Sequence, residues 1–171
     1  YLQGLSIPMR PAARRRLWHH PGSFRQGRAG MFGQNREELR RFYKTSWDKR
    51  CAGEPLQPLE RLVAEVVAQH PEYHTLLSGS GALQRDFDAT DGEVNPWLHM
   101  GMHVTLGEQI TADRPPGIRG IYHRIMLRLG DAHSTEHAMM DCLGMSLWEA
   151  QRANALPDER HYIDCLKKLG G

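Results

Sequence analysis

Beyond Met31 the apolar positions recur almost everywhere at three- and four-residue spacing, and no stretch alternates polar with apolar residues for long enough to make a strand. Asn35 with Glu38 reads as a capped helix start, followed by Leu39, Phe42, Tyr43 and Trp47 on one face and by Gly53 as a stop. Pro58 opens a second helix in which Leu59, Leu62, Val63, Val66 and Val67 follow the i, i+3, i+4, i+7, i+8 template. Pro71 ends it, and a short turn carrying Tyr73, Leu76 and Leu77 follows. Asn95 and Pro96 supply an N-cap and a first-turn proline for the next helix, which Pro115 and Pro116 terminate. Ile118, Ile121, Tyr122, Ile125 and Leu129 define a helix stopped by Gly130, Asp131 caps a long one reaching about Ala153, and Pro157 with Asp158 begins the last. The pattern predicts an all-α fold, a compact helical bundle of about five to six helices with mostly up-down connections.

One segment breaks the periodicity. Residues 78–95 are rich in Gly, Ser and Asp, and Asp86, Asp88, Asp91 and Glu93 make them acidic, which predicts a solvated, potentially functional loop. A calcium loop is excluded because the glycine is displaced and the distal glutamate is missing.

Composition adds boundaries. The 171 residues, 25% charged and 40% hydrophobic, suit one globular domain, and no apolar run approaches the roughly 20 residues of a membrane span. The first 30 residues hold six arginines and no acidic residue, leaving the remainder mildly acidic. Residues 1–30 are therefore expected to be a basic, flexible extension and 31–171 the bundle domain. Nucleic acid is an unlikely partner except through that arm, where Arg14 to Arg16 lie beside Trp18, His19 and His20. Arg119, Arg124 and Arg128 carry no interleaved aromatic residues and read as a solvated face. Cys51, Cys142 and Cys165 form no CxxC motif and cannot all pair, which suits a reducing cytoplasm; Cys142 reads as a buried packing residue rather than a nucleophile.

The chemistry lies in the histidines. His70/His74, His99/His103 and His133/His137 are pairs four residues apart, six of the eight histidines after Met31, where random placement would give roughly half a pair. Residues at i and i+4 share a helix face one turn apart, the spacing that helical chelation of a metal needs. His99, Met102, His103, Leu106 and Ile110 form one inward stripe; His133, His137, Met140, Gly144 and Leu147 form another, with Asp141 a turn beyond His137. If the helices from Pro96 and Asp131 run in the same direction, their first halves share one end of the bundle, and His70 and His74 can reach it.

Neutral imidazoles at that end would hold a divalent transition metal such as zinc, iron or nickel. Four ligands make a closed structural site, while three plus water make a catalytic one, with Glu136 or Asp141 as proton acceptor or outer-shell orienter. The expected function is thus a metal-dependent hydrolase or transferase acting on a small molecule. The competing expectation is a non-enzymatic structural or interaction module whose histidine cluster maintains the fold or senses protons. Among the metal residues His70/His74 is the weakest pair, because His70 precedes a proline and leaves the helix. Walker A, dinucleotide-binding, HExxH and ExxH di-iron motifs are absent from the sequence.

The strings MFGQNREELRRFY, HPEYH, NPWLHMGMH, DRPPGIRGIYHR and EHAMMDCL with LWEAQR resemble an uncharacterised bacterial family, domain of unknown function 1841. The resemblance spans about Met31 to Leu169 and implies no activity. In idea, the histidine pairs His99, His103, His133 and His137 are also similar to those of metal-dependent DinB-like bundles. Hemerythrin-like bundles would need more carboxylate ligands than His137/Asp141 supplies.

Overall fold

The computed structural model describes residues 29–79, Phe87 and 95–171, with side chains from Arg36 onward. Residues 1–28 of the basic arm and the acidic residues Asp86, Asp88, Asp91 and Glu93 lie outside the described residues, and the arm's last two residues belong to the first helix. Among the described residues all regular structure is helical: α1 (Ala29–Cys51), α2 (Pro58–Ala68), a 3-10 turn (Pro71–Tyr73), α3 (His74–Ser78), α4 (Pro96–Ala112), α5 (Ile118–Leu129), α6 (Ala132–Ala153) and α7 (Glu159–Gly170). There are seven α-helices rather than five to six, because the turn bearing Leu76 and Leu77 closes into the short α3. None of the described helices is long and apolar enough to cross a membrane.

Local signals set most helix ends. The Asn95 side chain accepts hydrogen bonds from the Trp97 and Leu98 amides at 3.0 and 3.3 Å, and Pro96 occupies the first turn of α4. Asp131 accepts from the Ser134 amide at 2.8 Å, and Asp158 accepts from the Arg160 and His161 amides. Each carboxylate is held below its ordinary pKa chiefly by those backbone donors. At α2 the Glu60 carboxylate reaches back to the Gln57 amide at 2.8 Å and also receives Lys49 Nζ from α1 at 2.5 Å. The start expected at Asn35 is corrected: α1 begins at Ala29 and runs through Asn35.

Two apolar clusters share α4. On one side Tyr43, Val63, Val66, Val67, Leu77, Trp97, Met100 and Val104 join α1, α2 and α3 to α4, with Phe87 packed against them. On the other, Leu106, Ile118, Ile121, Ile125, Met139, Met140, Leu143, Tyr162 and Leu166 join α4 to α5, α6 and α7. A Cβ at Gly107 would stand 2.7 Å from Leu62 Cδ1, so the absent side chain lets α2 close on α4. Of the predicted apolar faces, Leu39, Leu59, Leu129 and Leu147 are exposed. Helices at the rim of a bundle bury a narrower stripe than their sequence offers.

Two expectations about polar residues change. Arg119 is exposed but does more than meet solvent: its guanidinium donates to the Ile110 and Thr111 carbonyls at the end of α4, and Arg128 donates to the Leu169 carbonyl. These contacts satisfy helix-end acceptors that lack intrahelical donors. Cys142 and Cys165 form a disulfide that ties α6 to α7, replacing the reduced thiols expected from the odd cysteine count, and Cys51 is the free one. Packing of two helices brings the pair together across 23 residues, and cysteine usage therefore no longer argues for a reducing compartment.

Candidate metal centre

Three local devices aim the histidines. The Asn95 cap starts α4 so that His99 and His103 fall on successive turns of one face, the face continued by Leu106. Asp131, rather than Ser134, caps α6, which keeps His133 inside the helix and one turn ahead of His137. At the end of α2 the backbone of His70 leaves the helix with φ −123° and ψ 68° ahead of Pro71.

His70, His99, His103 and His137 each offer a nitrogen, and these ligand atoms all lie within 4.8 Å of one another. His70 and His103 are almost completely buried, at 1% exposure each, His99 is half-buried, and His137 is on the solvent side. Ligands at about 2.0 to 2.1 Å from one ion lie at most about 4.2 Å apart. The group is thus a little wider than a loaded site would be. His70 Nε2 and His99 Nε2 are already 3.0 Å apart.

Hydrogen bonds fix which nitrogens face inward. His70 Nδ1 donates to the Val66 carbonyl at 2.6 Å, leaving its Nε2 lone pair toward His99. His103 Nδ1 lies 2.6 Å from Glu136 Oε2, so the neutral imidazole donates to the carboxylate and its Nε2 keeps a lone pair. That Nε2 is buried and has no hydrogen-bond partner. A buried imidazole nitrogen without a partner is costly, and its lone pair could be satisfied by a metal cation or by a hydrogen-bond donor.

Burial keeps three of these rings uncharged. Burial, followed by the neighbouring imidazoles, pushes His99 and His103 down to about 3 and His137 to about 4. Neutral imidazole is the form that binds metal. Burial raises the Glu136 carboxyl, opposed by the nearby histidines.

The remaining predicted residues are placed differently. His133 has its ring centre 4.2 Å from that of His137, 5.0 Å from His70 and 5.4 Å from His103, but it is outside the group of four. His74 turns away, donating from Nε2 to the Val67 carbonyl at 2.9 Å and stacking on Trp47 at 4.5 Å. The His70/His74 pair is thus split, because the 3-10 turn between them breaks the helical register on which i, i+4 spacing depends. Glu136 reaches the cluster through His103, and Asp141 is exposed one turn beyond His137.

Sequence reasoning missed Tyr73, stacked on His70 at 5.6 Å and edge-on to His99 at 5.9 Å, and the Val66 carbonyl that orients His70. Tyr73 beside the proline carried a weak signal; a carbonyl acceptor carries none.

These features define an all-α protein with a partly buried cluster of four histidines drawn from three segments of the chain. The chain belongs to the family described as Domain of unknown function (DUF1841), whose model matches residues 35–168. No curated protein and no solved structure matches it.

Proposed function

We propose that this protein binds one divalent transition-metal ion, zinc, iron or nickel, through His70, His99, His103 and His137. The observation that carries the reading is the buried, unpartnered Nε2 of His103, whose other nitrogen is held by Glu136. A carboxylate behind a ligating histidine fixes its tautomer and raises its basicity, the usual outer shell of a metal site. Where a coordination position stays open toward solvent beside His137, the ion would serve a hydrolase or transferase acting on a small molecule. Glu136 then acts by orienting His103, which leaves Asp141, exposed one turn beyond His137, as the candidate proton acceptor.

A second reading, a metal-free structural cluster, is favoured by the 3.0 Å contact between His70 Nε2 and His99 Nε2, which an N–H···N hydrogen bond satisfies without an ion. Elemental analysis of untagged protein decides between them. Close to one equivalent of metal in the native protein, lost in the folded His103→Ala/His137→Ala variant, supports the site. No metal after loading, or equal content in both, overturns it in favour of the structural cluster.

A further inference from the structure

Five imidazoles, not four, crowd this part of the fold. His133 sits on α6 one turn before His137, with its ring parallel to that of His103 at 5.4 Å and 5.0 Å from that of His70. Its Nδ1 is shielded from solvent and has no hydrogen-bond partner, the same condition as His103 Nε2. Two orphaned nitrogens on neighbouring parallel rings are hard to explain by packing alone, since buried polar atoms normally find partners. His74, which lies away from the cluster, shows how such a nitrogen is satisfied: it donates to the Val67 carbonyl.

Resting on the metal-binding reading above, we propose that His133 is a fifth ligand, which makes the site a five-nitrogen set with one position left for a small anionic ligand on the solvent side, beside His137. His133 is outside the mutual 4.8 Å of the other four in its present orientation, so ligation requires its side chain to turn. Five nitrogens exceed the four of a closed tetrahedral zinc site and suit ions that accept five or six ligands, such as iron, nickel or cobalt. All five donors are neutral imidazoles, so the ion keeps its full double charge, offset only from behind His103 by Glu136. A small anion entering where His137 is exposed supplies the missing negative charge.

Cobalt(II) loaded into the metal-free protein tests this, because its visible absorption is intense in tetrahedral sites and several-fold weaker in five- or six-coordinate ones. The native protein is expected to give the weak spectrum and to change it on titration with azide. The His133→Ala variant is expected to convert to the intense, tetrahedral spectrum. Its cobalt affinity should fall at least as far as the roughly 10- to 100-fold that loss of an outer-shell partner costs. Should that variant not fold, the native spectrum and its azide response carry the test alone. An intense spectrum in the native protein, indifferent to azide and to His133→Ala, overturns the fifth ligand while leaving four-histidine binding intact. Failure to bind cobalt or any other metal overturns both.

Discussion

The Nδ1 of His103 on α4 donates to the Oε2 of Glu136 on α6 across 2.6 Å, joining residues 33 positions apart at the point where the two helices meet. The ring is fully shielded, while the carboxylate keeps one-fifth of its surface in water. The contact decides which histidine nitrogen is free, and so decides the chemistry the cluster offers.

Replacing Glu136 with Gln keeps the shape and an acceptor oxygen but removes the charge. Metal affinity is expected to fall by about 10- to 100-fold, as for other outer-shell carboxylates, while the thermal midpoint of the metal-free protein changes little. A competition titration against a chelator measures the first and a thermal melt the second. Unchanged affinity would mean that the carboxylate does not tune the site.

Acid should destabilise the metal-free protein. Below about pH 6.5 the histidines of an unfolded chain take up protons, whereas the folded chain holds His99 and His103 neutral down to about 3 and His137 down to about 4, through burial and mutual repulsion. The unfolded state therefore binds more protons in this window, and stability declines as pH drops from about 6.5 toward 4. Each fully shielded histidine adds a slope of at most about 1.4 kcal/mol per pH unit. The solvent-facing His137 adds less, and the acidic Glu72 near His99 and Glu136 near His137 soften the effect. Urea unfolding at pH 7, 6 and 5 reads this directly; a flat profile would contradict it.

Opening the Cys142–Cys165 disulfide should cost the fold about 3 kcal/mol, the loop-entropy value for a crosslink of this span. The Cys142→Ser/Cys165→Ser variant is expected to unfold at lower urea, with the loss concentrated in hydrogen-exchange protection of α7. An unshifted midpoint would show that the packing of Tyr162 and Leu166 alone secures that helix.

Much of the architecture was legible from residues alone, and the reasons are local. Asn95, Asp131 and Asp158 begin their helices by bonding amides two or three positions ahead, so no distant contact is needed to recognise them. The inward direction of His99 and His103 followed from their register with Leu106. Reading failed where a local signal was overridden: Asn35 has a cap-like partner in Glu38, yet α1 passes through it. Leu147 fits an apolar stripe but lies on the open side of α6.

By itself, then, the sequence determined an all-helical chain, the ends of most helices, and the inward face carrying His99 and His103, because caps and periodicity act within about one turn; the matching expectation for His133 and His137 is corrected, since His137 is exposed. Tertiary structure alone decided that His70 joins the cluster while His74 turns to Trp47, that Glu136 holds His103, and that Cys142 meets Cys165. Those outcomes depend on how α2, α4, α6 and α7 sit against one another. That arrangement is fixed by the shared packing of the two apolar clusters on α4 and not by any run of neighbouring residues.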